Sequence, residues 1–166
     1  MRAGYQVTLA SGVSVADEVV TVWQDLKIRH KYKYVIYHIA GGQVRNQALD
    51  DVNLEDKNNE YDTEYQKQRH QGFVDVLKGD DANTCRYAVY DFSILDQKEG
   101  DTAARKTNKI LFIVWCPDTA TIKDKMLYAS SKDAVKKALG SGITEVQATD
   151  LSELSFDYFW EKAQSK

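Results

Sequence analysis

The chain contains few of the residues that cross-link small proteins or stiffen their loops. Among its 166 residues there are two cysteines, Cys85 and Cys116, and one proline, Pro117. The cysteines are far apart in the sequence, and each lies in an apolar, strand-like run. Such a pattern is typical of buried thiols in cytosolic proteins. We therefore predict two reduced, buried cysteines rather than a disulfide or a metal site.

The chain also lacks an excess of positive charge and a long apolar run. Its formal net charge is −3, whereas nucleic-acid-binding domains are usually basic, so we predict no nucleic-acid partner although a local basic patch stays possible. The longest apolar stretch, residues 110–116, is far too short to span a bilayer. Residues 1–13 contain no continuous apolar core of a signal peptide. We predict a soluble protein.

Motifs for catalysis, metal binding and phosphate binding are missing as well. His30, His38 and His70 have no catalytic or metal-ligand spacing, and neither cysteine has a close partner in the sequence. Histidines in such positions are usually surface or packed residues. The glycines at 140 and 142 end a helix and are no nucleotide-binding motif. We predict that the chain is not an enzyme and needs no cofactor or metal.

What the chain has is an alternation of helical and strand-like segments of single-domain length. The first helix, capped by Ser14 or Asp17, is predicted to end near Arg29, with residues 15, 19, 22, 23 and 26 facing the core. The predicted strands lie at 34–39, 43–49 (a hairpin arm after a turn at 41–42), 85–92, 109–115 (the central strand) and 144–148. Two more helices are predicted at 63–77, facing inward through residues 65, 73, 76 and 77, and at 155–163. Loops are predicted at 50–61 and, polar in character, at 97–108. This order indicates an α/β or α+β domain with helices on both faces of one sheet.

A long helix follows the proline, capped by Asp118 or Thr119 and ended by glycine after Leu139. At ~100° per residue, one broad side of this helix is apolar or small and is predicted to pack on the sheet. The opposite side is a strip of lysines with two apolar residues among them: Lys125, Lys132, Lys136 and Lys137, with Ile122 and Met126. Such a strip is either an ordinary solvated face or a surface for an acidic partner, and the pattern alone favours the solvated face.

The residues of this helix resemble a known family. The segment 125–134, KMLYASSKDA, closely resembles the signature of the ADF/cofilin family of actin-depolymerising proteins. Similar matches follow family order along most of the chain at residues 11–15, 85–89, 112–118 and 145–150. A ten-residue match of this kind is specific, so the lysine strip is now expected to be a partner surface.

The resemblance implies a single actin-depolymerising-factor homology domain over 11–166, a mixed sheet sandwiched by helices, behind a flexible extension at 1–10. It implies a cytoplasmic, cytoskeletal monomer that binds monomeric and filamentous actin, prefers ADP-actin, and severs and depolymerises filaments. By position in the family, the residues expected to bind both monomeric and filamentous actin are Ser11, Gly12, Val13, Lys123, Lys125, Met126, Lys132, Asp133, Lys136 and Lys137. Those carried over for filaments alone are a basic loop at Arg105, Lys106 and Lys109, together with Glu161 and Lys162.

The resemblance also implies two forms of regulation. Ser11 is the candidate phosphorylation site, because added negative charge would disrupt the contact with actin. The extension before Ser11 is longer than in many relatives, and this departure puts the kinase regulation in question. The candidate phosphoinositide ligands are Lys125, Lys132, Lys136 and Lys137. The filament loop is less basic than in some relatives because it contains Thr107 and Asn108.

Two other readings of the same fold stay open. A coactosin-like adaptor would bind the sides of filaments without depolymerising them, and a lipid-binding module would need no actin. The signature segment at 125–134 favours the ADF/cofilin reading over the adaptor.

Overall fold

A six-stranded mixed sheet forms the centre of the computed structural model, which describes residues 12–80, 82–96, 99–100 and 102–164. The extension predicted at 1–10 lies outside the described residues. The strands are β1 (Ser14–Val15), β2 (Tyr32–Ala40), β3 (Gln43–Asp51), β4 (Arg86–Asp96), β5 (Arg105–Trp115) and β6 (Ile143–Ala148). The helices are α1 (Asp17–Arg29), α2 (Leu54–Asn58), α3 (Thr63–Lys78), α4 (Ile122–Leu139) and α5 (Phe156–Gln164), with a 3-10 turn at Leu151–Leu154.

The strands lie in the order β1-β3-β2-β4-β5-β6. The four inner strands pair in antiparallel fashion, while β1 pairs with β3 and β6 pairs with β5 in parallel. Gly41 and Gly42 both have positive φ, which the tight turn of the β2–β3 hairpin requires, and this turn was predicted. The predicted α+β class is confirmed.

Both faces of the sheet are covered by helices because its strands are apolar on both sides. Tyr87 and Val89 point into a core with α1 and α4, whereas Ala88 and Tyr90 point into a second core with α3 and α5. Strand β5, predicted to be central, has both of its faces buried at residues 111–115. Helices α4 and α5 therefore lie on opposite faces of the sheet.

The predicted caps of the first and fourth helices were wrong. The backbone N–H groups of Ser14 and Ala16 bond to strand β3 and its turn, which keeps the chain extended up to the helix, and Asp17 is already helical. Helix α4 begins at Ile122, and the side chain of Thr121 accepts a hydrogen bond from the Asp124 amide at 3.2 Å. Asp118 does not cap this helix because it lies four residues before Ile122, where its amide donates a hydrogen bond to the Thr149 carbonyl just after β6.

Residues 50–61 are more ordered than the predicted loop. Strand β3 continues to Asp51, and the short helix α2 follows. Its start is a capping box, in which Asn53 and Asp56 each accept a hydrogen bond from the other's amide at 2.8 and 2.9 Å. The Asn-x-x-Asp spacing is the signal that a sequence reading could have used.

The polar connection between β4 and β5 is shorter than predicted. The antiparallel pairing continues to Asp96 and Arg105, so residues 105–108 belong to β5 rather than to a loop. Asn108 donates a hydrogen bond to the Asp91 carboxylate at 3.0 Å, which joins the two strands here.

Helix α3 has nearly the predicted bounds, but one predicted inward position was wrong. Val76 is 48% exposed, and Val74 is buried instead.

Candidate functional site

Helix α4 is held firmly against the sheet by its buried side. Near its C-terminus, the indole N–H of Trp23 donates a hydrogen bond to the Leu139 carbonyl at 2.8 Å. At the middle of the helix, the Tyr128 hydroxyl accepts a hydrogen bond from the Ile39 amide at 3.0 Å, and the Tyr87 hydroxyl donates to the Tyr128 carbonyl. Burial raises the pKa of Tyr87 and of Tyr128, so both phenols stay neutral. The helix is thus a preorganised platform.

The outward side of α4 carries the side chains that the helical wheel placed there. Ile122 is 75% exposed and Met126 is 66% exposed, on a helix whose opposite side is buried through Tyr128, Val135 and Leu139. The predicted polar contact residues around these two apolar residues differ in their exposure to solvent. Lys123, Asp133 and Lys137 are exposed, whereas Lys125, Lys132 and Lys136 are half-buried.

The half-buried lysines have partners within the protein. The Nζ atoms of Lys132 and Lys136 lie 3.4 and 3.6 Å from the same Glu145 carboxylate oxygen, on strand β6. Lys125 donates a hydrogen bond to the Asp118 carbonyl at 2.7 Å. Sequence reasoning missed Glu145, because only the register of β6 against β5 brings it beside the helix. Partly exposed ion pairs of this kind are weak, so an acidic partner can replace Glu145 at little cost.

The N-terminal segment lies next to this helix. Strand β1 contacts α4, and Gly12 just before it is exposed with a φ of 71°, a conformation that favours glycine. Val13 is only 2% exposed, and its side chain packs into the core beneath α1 and α4. Ser11 lies outside the described residues. The structure thus places the strand that follows Gly12 next to α4.

The residues carried over for filaments form a second, separate group. Arg105, Lys106 and Lys109 are exposed, and they lie on strand β5 instead of the predicted loop. The Nζ atom of Lys106 lies 5.1 Å from the centre of the Tyr61 ring, a cation–π distance. These side chains therefore have a defined strand to position them.

Helix α5 lies beside the base of the same hairpin. Phe92, which pairs with Lys109 across the strands, has its ring centre 5.8 Å from that of Trp160 on α5. The adjoining Glu161 is exposed, and Lys162 lies with its Nζ 5.3 Å from the Tyr158 ring centre. The structure therefore brings α5 and the hairpin together and places both apart from α4.

Within 12–80, 82–96, 99–100 and 102–164, no helix has the length and apolar character to cross a membrane. The same residues contain no group of three or more His, Cys, Asp or Glu side chains arranged to hold a metal ion.

Comparison with known proteins identifies the family. The model of the cofilin/tropomyosin-type actin-binding proteins matches residues 12–164. The cofilin of Mycosarcoma maydis is 41% identical over 156 residues, which cover 93% of this chain and 96% of that protein. The solution structure of an ADF-like protein of Caenorhabditis elegans has a TM-score of 0.74 at 36% identity, with 93% of this chain and 95% of that chain covered.

A more distant neighbour shares the fold alone. The human coactosin-like protein has a TM-score of 0.64 but only 14% identity, over 99% of this chain and 91% of that chain. By contrast, the family model matches residues 12–164, and the cofilin of Mycosarcoma maydis is 41% identical to this chain. The chain belongs to the ADF/cofilin family of actin-binding proteins.

Proposed function

We propose that this chain binds both monomeric and filamentous actin through the outward side of α4 and the adjoining N-terminal segment. The observation that carries the proposal is the pair of exposed apolar residues, Ile122 and Met126, within a strip of lysines on a firmly held helix. Exposed methionine gives adaptable apolar contact, and clustered ammonium groups attract an acidic partner. The proposed contact set is Ser11, Gly12, Lys123, Lys125, Met126, Lys132, Asp133, Lys136 and Lys137, with Val13 contributing through its backbone.

A rigid platform favours binding because little conformational freedom is lost when the complex forms. Met126 and Ile122 would enter an apolar cleft on actin, and the lysines would meet acidic side chains at its rim. Lys132 and Lys136 would exchange Glu145 for carboxylates of the partner. Actin binding of this kind needs no chemistry on a substrate.

We propose that severing and depolymerisation follow from a second contact, made only on filaments. The hairpin residues Arg105, Lys106 and Lys109 and the α5 residues Glu161 and Lys162 lie apart from α4 and could reach a neighbouring subunit. A protein that binds a twisted filament more tightly than the relaxed filament shifts the population towards the twisted state. Strain then concentrates at the boundary between decorated and bare segments, where the filament breaks.

Single-filament imaging tests this proposal. The protein is titrated onto fluorescent ADP filaments and onto filaments with an ATP analogue, and breaks per unit length are counted. We expect severing that is strongest at partial decoration, because boundaries are then most numerous, and preferential binding to ADP filaments. Decorated filaments that keep their length at every dose would contradict the severing proposal and would support the coactosin-like adaptor.

We propose that phosphorylation of Ser11 weakens actin binding, because negative charge would enter a surface that meets an acidic partner. The expected result is that Ser11→Asp weakens monomer affinity about tenfold, whereas Ser11→Ala leaves it within about twofold. Fluorescence titration of labelled ADP-actin monomers measures both. Equal affinities for Ser11→Asp and the parent chain would contradict this form of regulation.

We also propose that phosphoinositide headgroups compete with actin for Lys125, Lys132, Lys136 and Lys137. Clustered lysines at a surface attract anionic lipid headgroups. Vesicles with and without phosphoinositide, added to an actin-pelleting assay, test the competition.

The proposed working state of the protein is a cytoplasmic monomer at the actin cytoskeleton.

A further inference from the structure

The two cysteines lie opposite each other, although 30 residues separate them in the sequence. Strands β4 and β5 pair with Arg86 opposite Trp115. One residue beyond that pair, the same register places Cys85 opposite Cys116. Both side chains belong to the core beneath α1 and α4, so they point to the same face of the sheet. The sequence prediction that both thiols are buried was wrong for Cys116, which is half-buried.

This placement suits a disulfide. Residues directly opposite each other on antiparallel strands have Cα atoms about 4.5–5.5 Å apart. Disulfides join residues whose Cα atoms are about 4.4–6.8 Å apart, so the backbone need not move far. Both thiols are free in this structure, and they lie close enough for each to shift the pKa of the other.

The surroundings give the two sulfurs different chemistry. The neighbouring Cys85 thiol and the Lys125 ammonium lower the pKa of Cys116, against opposing contributions from burial and from Asp124. The neighbouring Cys116 thiol and burial raise the pKa of Cys85. Since the thiolate is the nucleophile, Cys116 is the more reactive sulfur, and it is also the one that solvent can reach.

We propose that Cys116 and Cys85 form a peroxide-sensitive dithiol that closes to an intramolecular disulfide beneath helix α4. Cys116 is the residue that reacts with a hydroperoxide, and Cys85 is the residue that resolves the product. Neither cysteine belongs to the proposed actin contacts, and the proposal can be tested without actin.

The reaction takes place in two steps. The Cys116 thiolate attacks one peroxide oxygen, the O–O bond breaks, and hydroxide leaves, so that Cys116 becomes a sulfenic acid and the peroxide is reduced by two electrons. The Cys85 sulfur then attacks the Cys116 sulfur, the S–O bond breaks, and hydroxide takes the Cys85 proton as water. In sum, two thiols and one hydrogen peroxide give one disulfide and two waters. A small dithiol such as dithiothreitol reverses the step by thiol–disulfide exchange.

The test compares the folded chain with the same chain unfolded in denaturant, each fully reduced and then exposed to hydrogen peroxide. Samples are quenched over time in denaturant with N-ethylmaleimide, and intact masses and non-reducing gels are recorded. Because the fold already holds the sulfurs together, we expect the folded chain to close about tenfold faster or more. The product should be monomeric, lighter by two hydrogens and free of maleimide, and dithiothreitol should restore two maleimide adducts. Closure no faster in the folded chain, or disulfides only between chains, would overturn the proposal.

Single substitutions test the two roles. With Cys85→Ser, the sulfenic acid on Cys116 should persist and be labelled by dimedone. With Cys116→Ser, Cys85 should stay unlabelled because it is buried. Labelling of Cys85 instead of Cys116 would overturn the assigned roles. Near-ultraviolet circular dichroism checks that each variant is folded, and the comparison of folded and unfolded parent chains stays decisive if one is not.

Discussion

Helix α4 and the β4–β5 hairpin both contain basic residues that the family resemblance implies as actin contacts. The surroundings of these side chains differ between the two regions. On α4, Lys132 and Lys136 lie against Glu145, and the helix is fastened to the core through Trp23 and Tyr128. On the hairpin, the basic side chains are exposed on β5, and Lys106 lies over the Tyr61 ring.

From this difference we infer separate roles for the two regions, with affinity for actin on α4 and modulation of filament binding on the hairpin. A helix with a buried side, exposed apolar residues and restrained lysines has the features of the energetic centre of an interface. Exposed charges on a strand have those of a polar rim, which mainly affects encounter and partner geometry. We therefore expect α4 to govern binding to any form of actin and the hairpin to modulate filament binding. Four variants test this comparison, from the largest expected effect to the smallest.

Replacing both central lysines of α4 should have the largest effect. Lys132→Ala with Lys136→Ala is expected to weaken actin binding at least ~100-fold, because it removes two charge contacts beside the apolar contact of Met126. The unfolding free energy should change by less than about 1 kcal/mol, since the pairs with Glu145 are partly exposed. Co-sedimentation and chemical denaturation measure the two effects.

The matched control for this double variant is Lys57→Ala with Lys67→Ala. It removes the same charge from exposed positions on α2 and α3, away from α4. This control should pellet with actin as the parent chain does. Normal co-sedimentation of the α4 variant would remove this helix from the site.

Truncating the exposed methionine of α4 should have the next largest effect. Met126→Ala is expected to cost about 2 kcal/mol of binding, or about 30-fold in Kd, if its side chain enters an apolar cleft. Leu54→Ala on α2 is the control, because Leu54 is 73% exposed against 66% for Met126. Titration of labelled actin monomers compares them. Equal losses for both variants would mean that exposed apolar area, rather than the α4 surface, determines affinity.

Changing the hairpin should affect filaments and leave monomers alone. Arg105→Ala with Lys106→Ala is expected to weaken filament binding about five- to tenfold and to reduce its salt dependence, since these charges are exposed. Monomer affinity, measured on the same preparation, should stay within about twofold. A parallel loss in both assays would break the distinction between the two regions.

Removing the internal counter-charge of the α4 lysines should have the smallest effect and the opposite sign. Glu145→Gln leaves Lys132 and Lys136 without their shared carboxylate. We expect a two- to threefold gain in monomer affinity at low salt, from faster association, which should vanish as salt rises. Glu64→Gln, at an exposed pair on α3, is the control. A loss of affinity on Glu145→Gln would show that Glu145 orients the lysines instead of competing for them.

The sequence predicted those parts of the molecule that local patterns determine. The glycine turn at 41–42, helix α3 and the outward side of α4 follow from turn chemistry and helical periodicity, and the family signature lies on the last of these. Local rules failed where distant segments meet. The amides of Cys116 and Asp118 bond to the carbonyls of Ala148 and Thr149, at and just after the end of β6, and α4 begins only at Ile122.

The same limit applied to the candidate site. Glu145 lies beside α4 because β6 pairs with β5, and Cys85 faces Cys116 because β4 pairs with β5. No spacing within one segment reveals either contact. Val13 was carried over as a contact residue, yet the fold buries its side chain. Pairing between strands is thus the information that the sequence alone did not provide.

Oxidative footprinting of Met126 tests the central claim most directly. The chain has two methionines, and Met1 lies outside the proposed contacts and serves as the internal reference. With actin monomers in excess, sulfoxide formation at Met126 should slow at least ~10-fold while that at Met1 is unchanged. Equal rates at Met126 with and without bound actin would contradict the claim that the outward side of α4 is where actin docks.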